Sequence, residues 1–195
     1  MDCDAWKAET TDPESIAAIE CAGPLRAAVI GCGGAGRAVA AALQQSGSHV
    51  TLVNRGSQRG VYATQLLGLP FVPLSEFRAH GFNVIVNATP VGKDNDGFPF
   101  VVDSLGDATI VIDLAYGPQP TPLVSAVRAR GGTVIDGYDV LLTQVRKQFF
   151  LMTGLEMPAA ICRETVVAIG NGNLALRDPA FPLGHDLPET CEYTL

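Results

Sequence analysis

Ala27-Ala28-Val29-Ile30-Gly31-Cys32-Gly33-Gly34-Ala35-Gly36 runs from four apolar residues directly into a turn of small ones. A short unbroken apolar run is the pattern of a strand covered on both faces, because neither face meets water and no polar alternation is needed. The turn has the spacing G-x-G-x-x-G and leads into Arg37 to Gln45, an Ala-rich stretch that reads as a helix ended by Gly47. Strand, glycine turn and helix in this order suit a bound dinucleotide. Gly31 permits the tight turn, Gly33 lacks the Cβ that would block a pyrophosphate, and Gly36 lets the helix lie close to the strand. The helix N-terminus then offers N–H groups and positive dipole to the phosphates, with Cys32, Gly34 and Ala35 completing the loop. Cys32 reads as a small packing residue, not as a redox group.

The second strand, His49 to Asn54, ends where the choice of dinucleotide is made. An acidic residue there bonds the 2′-hydroxyl of an adenosine ribose, whereas cations there welcome a 2′-phosphate. This chain has Asn54-Arg55 followed by Ser57 and Arg59, and no Asp or Glu from residue 50 to residue 75. Two guanidinium groups four residues apart at a helix start pair with a phosphate dianion and stack on adenine, so NADP is the expected cofactor. The bland alternative is a pair of solvated surface arginines.

Farther along, β and α patterns keep alternating. Gln58 to Leu67 and Leu74 to Ala79 read as helices, Phe71-Val72 and Val84 to Asn87 as strands. Ile110 to Asp113 and Thr133 to Asp136 are further strands, with a helix from Thr121 to Arg130 between them. Apolar residues at Leu141, Leu142, Val145, Phe149 and Met152 mark a helix from Val140 to Met152 that Gly154 ends, with Gln144 interrupting the stripe. Six strands alternating with helices imply an α/β doubly wound (Rossmann) parallel sheet whose ligand crevice lies beyond the strand C-termini. Two polar exits reach that crevice: Asn87-Ala88-Thr89-Pro90 after the fourth strand, and Asp113-Leu114-Ala115-Tyr116 after the fifth. Each also reads as an ordinary turn.

Residues 24–170 are therefore expected to form the dinucleotide-binding domain. Residues 1–23, with a helical patch from Pro13 to Glu20, read as a linker segment; residues 171–195, without periodicity, read as a loosely ordered tail. A last helix is expected from Ala159 to Ile169. Thirteen Lys and Arg against twenty Asp and Glu give a formal charge of −7, which disfavours nucleic acid as a partner. No apolar stretch approaches the roughly 18–20 residues needed to cross a bilayer. Five scattered cysteines and three histidines show no metal-ligand spacing, so reduced thiols, no metal and a cytoplasmic location are expected.

Taken together these segments resemble the shikimate dehydrogenase family over about residues 2 to 165. The residues that carry the resemblance are the loop at 31–36, Asn54-Arg55 with Arg59, Asn-Ala-Thr-Pro at 87–90, Asp113 and Tyr116 followed by Thr121-Pro122-Leu123, and Asp136-Gly137 with Gln144. The run Gln148-Phe149-Phe150-Leu151-Met152-Thr153-Gly154 looks most like members fused to 3-dehydroquinate dehydratase, although no dehydratase segment occurs in this sequence. The resemblance implies reversible NADP-dependent reduction of 3-dehydroshikimate to shikimate, with a Lys-Asp pair handling the proton. It assigns the pyrophosphate to the glycine loop, the 2′-phosphate to Asn54, Arg55, Ser57 and Arg59, and the nicotinamide to Leu114 and Gly137, while Asn87, Ala88 and Thr89 are expected to meet the nicotinamide half from their place at the crevice. Asp4 matches the catalytic aspartate, although its neighbours Asp2 and Cys3 depart from the Asn-Thr-Asp motif; Tyr116 and Gln144 join it on the substrate side. Gly56 replaces a family Thr, and Val140 stands where many members carry Met.

The family's Lys belongs to an N-terminal substrate domain of roughly 100 residues that these residues do not match. The chain alone is thus expected to bind NADP, to turn over little shikimate, and to self-associate through an uncovered interdomain face. Two other readings compete. One is a quinate dehydrogenase, usually NAD-linked; the other is a non-catalytic regulatory module that keeps the domain to bind a ligand.

Overall fold

The structure, a computed structural model, describes residues 25–117 and 119–158. Asp4, the helical patch at 13–20, the expected helix at 159–169 and the tail at 171–195 lie outside the described residues. Six strands form one sheet: β1 (Arg26–Ile30), β2 (His49–Asn54), β3 (Phe71–Pro73), β4 (Val84–Asn87), β5 (Ile110–Asp113) and β6 (Val134–Ile135). Their order is β3-β2-β1-β4-β5-β6 and every pairing is parallel. The order reverses between β1 and β4, the point where a doubly wound sheet opens its crevice.

The helices are α1 (Gly34–Gln45), α2 (Ser57–Leu67), α3 (Pro122–Ala129) and α4 (Gly137–Thr153), with one 3₁₀ turn at Val102–Ser104. Alternation along β1 shows why both faces are covered. Ala27 and Val29 pack with Val39, Ala40 and Leu43 of α1 and Ala63 of α2. Ala28 and Ile30 pack on the opposite face with Phe77, Phe100, Val102 and with Leu123 and Val127 of α3. Fully burying a side chain such as Leu43 or Leu52 contributes about 1.5–3 kcal/mol, so two such layers dominate the stability of the sheet. Among the described residues no helix is long and apolar enough to cross a membrane.

The main differences from expectation lie in four elements. Residues 74–76 form a turn and 77–79 no regular element, not a helix: the Glu76 and Phe77 amides donate to the Pro73 carbonyl, but the Ala79 amide turns away to the Ser104 hydroxyl at 3.1 Å. Phe77 swings into the second core layer, edge-on to Phe100 with ring centroids 6.0 Å apart, and this packing outweighs a continued helix. Helix α1 begins at Gly34 rather than Arg37, with Gly33 as its extended N-cap accepting the Arg37 amide at 3.0 Å. Helix α4 begins at Gly137 rather than Val140, because Asp136 caps it and Asp139 reaches back to the Asp136 amide. The last strand is shorter than expected, two residues rather than four.

Candidate functional site

The glycine loop leaves β1 with Gly31 at φ +105°, a conformation only glycine holds without strain. Its amide donates to the Val53 carbonyl at 2.7 Å, which ties the loop to β2. Gly36 is buried against the loop's start, while a Cβ added at Gly33 or Gly34 would meet nothing within 4 Å. The loop is thus packed shut on its inner side and open above the N-terminus of α1. That helix has no acidic residue in its first turn, so nothing there repels an anion. Cys32 is 1% exposed and its thiol faces the Val53 carbonyl; burial pushes its ionisation up, with Arg37 pulling weakly the other way. The side chain packs inward, as its size suggested.

Asn54 braces this loop. Its Oδ1 accepts the Cys32 amide at 3.3 Å and its Nδ2 donates to the Gly56 carbonyl at 2.8 Å, so the end of β2 and the glycine loop hold one another in place. Arg55, Ser57 and Arg59 follow, all exposed around the N-terminus of α2, which also has no acidic residue in its first turn.

On the other side of the reversal point, a buried polar bracket closes the crevice floor. The Asn87 amide donates to Asp113 Oδ1 at 2.8 Å, the Ala115 N–H to the same oxygen at 3.0 Å, and the Thr121 hydroxyl to Asp113 Oδ2 at 2.5 Å. Asn87 Oδ1 in turn accepts the amide and hydroxyl of Thr89, at 3.1 and 2.7 Å. Thr121 also caps α3 by accepting the Val124 amide. Burial lifts the Asp113 carboxyl above its ordinary value; the donors from Thr121, Ala115 and Asn87 oppose the rise without cancelling it. Ala88 and Thr89, carried by this bracket, press on Gly31: a Cβ there would lie 2.8 Å from the Ala88 carbonyl oxygen.

Between the glycine loop and the exit of β5 lies a cavity of about 380 Å³, lined by Gly34, Ala35, Ala38, Val39, Leu114, Val140 and Gln144. The side chains that line it are apolar except for that of Gln144, a lining suited to excluding water from one end of a ligand. Gly137 is buried beneath Ala115 and so seats the start of α4 against the exit of β5. Tyr116 stands at the rim, 41% exposed, with its ring tilted against that of Tyr138 at 5.7 Å between centroids and the Lys93 ammonium 5.8 Å from its ring. The Tyr138 hydroxyl fixes the rim by donating to the Gly117 carbonyl at 2.6 Å.

The described site residues therefore gather along one crevice, with Arg55, Ser57 and Arg59 at one end and Leu114, Tyr116, Gly137 and Gln144 at the other. Reading the sequence alone missed Asp113 and Thr121 as the bracket beneath Asn87, and Lys93 and Tyr138 beside Tyr116. A Thr-Pro pair opening a helix was the one visible signal for the bracket, since Thr is a preferred cap.

No protein-family model matches the sequence. A shikimate dehydrogenase (NADP(+)) of Archaeoglobus fulgidus is 36% identical over 151 residues, which are 72% of this chain and 55% of that protein. The solved structure of shikimate 5-dehydrogenase from Thermus thermophilus, in complex with NADP(H) and shikimate, matches with a TM-score of 0.67 at 34% identity, over 79% of this chain and 60% of that one. The chain belongs to the shikimate dehydrogenase family. It spans about half the length of the curated relatives it matches. The quinate dehydrogenase of Corynebacterium glutamicum, solved in complex with NAD, matches with a TM-score of 0.66 at 30% identity, over 74% of this chain and 55% of that one.

Proposed function

We propose that this chain is the cofactor-binding part of an NADP-dependent shikimate dehydrogenase, in which 3-dehydroshikimate is reduced to shikimate and the reaction runs reversibly. The observation that carries the reading is the pair Arg55 and Arg59, exposed at an acid-free helix start that Asn54 locks to an open glycine loop. The residues present fit the cofactor: the space over Gly33 and Gly34 takes a pyrophosphate, and two guanidiniums take a 2′-phosphate. When bound, NADPH supplies a hydride to the ketone carbon.

The chain's own groups do the rest. The N-terminal amides of α1 hold the pyrophosphate, with Gly31 to Gly36 shaping the cradle. Arg55 and Arg59 grip the 2′-phosphate, Ser57 adds a hydroxyl, and Asn54 positions the loop. Ala38, Val39, Leu114 and Val140 keep water from the nicotinamide end, while Asn87, Ala88, Thr89 and Gly137 set the wall of the crevice there. Tyr116 and Gln144 face the substrate side, where shikimate is the small-molecule partner. Asp4 is assigned to proton handling by its place in the sequence.

Titrating the chain with NADPH and NADH tests the reading. NADPH is expected to bind at least tenfold more tightly, a difference of ~1.4 kcal/mol, and replacing both arginines by Ala should abolish that margin. Equal binding of NADH to the unaltered chain would instead favour an NAD-linked quinate dehydrogenase, the chemistry of the Corynebacterium relative.

A further inference from the structure

Between residues 21 and 75 the chain carries four arginines and no Asp or Glu, although its formal net charge is −7. All of β1, α1, β2 and α2 lie in that stretch, so this flank of the fold is cationic and the acids lie elsewhere. Arg26 opens β1 at the end of the sheet away from the crevice, where its guanidinium covers the Phe82 ring at 5.4 Å. Arg55 and Arg59 flank the start of α2. Arg37 is the fourth, and neither the glycine motif nor the family resemblance gives it a task.

Arg37 stands in the first turn of α1, its amide donating to the Gly33 carbonyl at 3.0 Å. Two contacts hold its guanidinium. Nη1 donates to the Cys32 carbonyl at 3.5 Å, and the central carbon lies 5.6 Å from the centroid of the Tyr62 ring on α2. Tyr62 is 55% exposed and Arg37 half-buried, so the pair links the two helices at the surface. Tyr62 lies three residues beyond Arg59, which puts both on one face of α2. The contact therefore turns the Arg37 charge toward the face of α2 on which Arg59 stands.

Among the described residues the ion pairs involve Arg128, Arg130 and Arg146, and no carboxylate pairs with Arg37. A guanidinium has five N–H donors in a rigid fork suited to phosphate, and the one bond drawn to Cys32 is long. An arginine held half-buried on Tyr62, a ring on the same helix face as Arg59, and paired with no carboxylate among the described residues raises the local potential for an anion. We propose that Arg37 is a third phosphate-binding group at the adenosine end of the site, steadied by Tyr62 so that the 2′-phosphate meets Arg37, Arg55 and Arg59 together. The proposal rests on the NADP reading above and adds to it a residue on a different helix. It also supplies a donor to a site in which Gly56 offers no side-chain hydroxyl next to Arg55.

The test is equilibrium titration of the full chain and its variants with NADPH, NADH and adenosine 2′,5′-bisphosphate, at low and high salt. Arg37→Ala should weaken NADPH and the bisphosphate at least fivefold, change NADH less than twofold, and flatten the salt dependence of NADPH binding. Arg37→Lys should recover part of the loss, since the charge stays but the fork does not. Tyr62→Leu, which keeps the charge but frees it, should fall between Arg37→Ala and the unaltered chain. A role confined to stapling α1 to α2 predicts that NADPH and NADH weaken together, in step with a lower unfolding temperature; that outcome overturns the proposal. So does unchanged NADPH binding in Arg37→Ala while Arg55→Ala/Arg59→Ala loses it, and then the NADP reading survives alone. If the unaltered chain does not prefer NADPH, the NADP reading fails first and this assignment falls with it.

Discussion

A Cβ placed on Gly36 would lie 1.8 Å from the carbonyl oxygen of Gly31. No rotamer relieves this, because the clash is between a helix backbone and the turn that starts it. Gly36→Ala must push α1 off β1 or unwind the loop, and overpacking of this kind costs about 1–3 kcal/mol. Chemical denaturation should show that loss together with a collapse of NADPH binding. A variant as stable as the unaltered chain would mean that the helix has room the geometry denies.

Gly33→Ala is the informative contrast. Its new methyl group meets no protein atom within 4 Å, and its backbone is extended, which alanine accepts. Stability should drop by less than about 1 kcal/mol, the scale of exchanging a glycine cap for a poorer one. NADPH affinity should still fall at least tenfold, because the methyl enters the space assigned to the pyrophosphate. Undiminished binding would place the phosphates elsewhere.

Thr121 works twice, as donor to Asp113 and as cap for Val124. Removing the cap costs about 0.5–2 kcal/mol, and leaving a buried carboxylate oxygen without its donor adds about 1–3 kcal/mol. Thr121→Val keeps the shape but loses both and should destabilise by roughly 2–4 kcal/mol. Thr121→Ser should be close to the unaltered chain. Urea midpoints of the three proteins decide this.

Burial raises the Asp113 carboxyl above its ordinary 3.8. A raised folded value means that the fold prefers the protonated acid. Its contribution to stability is therefore full below the unfolded value and is lost as pH climbs through the folded one. Unfolding free energies of the unaltered chain and Asp113→Asn, compared at pH 3.5 and pH 7, should move in the variant's favour as pH rises. A gain for the unaltered chain over that interval would show that the three donors outweigh burial.

The strands were legible where both faces are covered. His49–Asn54, Val84–Asn87 and Ile110–Asp113 have the bounds read from their apolar runs, because desolvation on two sides leaves no other pattern. The stretch 74–79 was misread because Phe77 and Ala79 are buried by Phe100 and Ser104, partners far along the chain that no local spacing reveals. The site divides in the same way. Gly31 to Gly36 announce themselves through spacing, whereas Asn87, Asp113 and Thr121 become one bracket only when β4, β5 and α3 are side by side. Arg37 and Tyr62 likewise meet across 25 residues that nothing in their own neighbourhoods links.

Every strand pairing in the sheet is parallel, and this bears on how the chain reaches its fold. No hairpin can zip up locally, so each neighbour must be fetched across a crossover, and β1 gains its second neighbour only through contacts such as that of the Arg26 amide with Asn83, 57 residues away. As the chain leaves the ribosome, β2 can pair with one side of β1 early, but the other side stays an open edge until Asn87 has been made. The pace of synthesis between those two moments, not the stability of the finished sheet, sets how long that edge is available to another nascent chain.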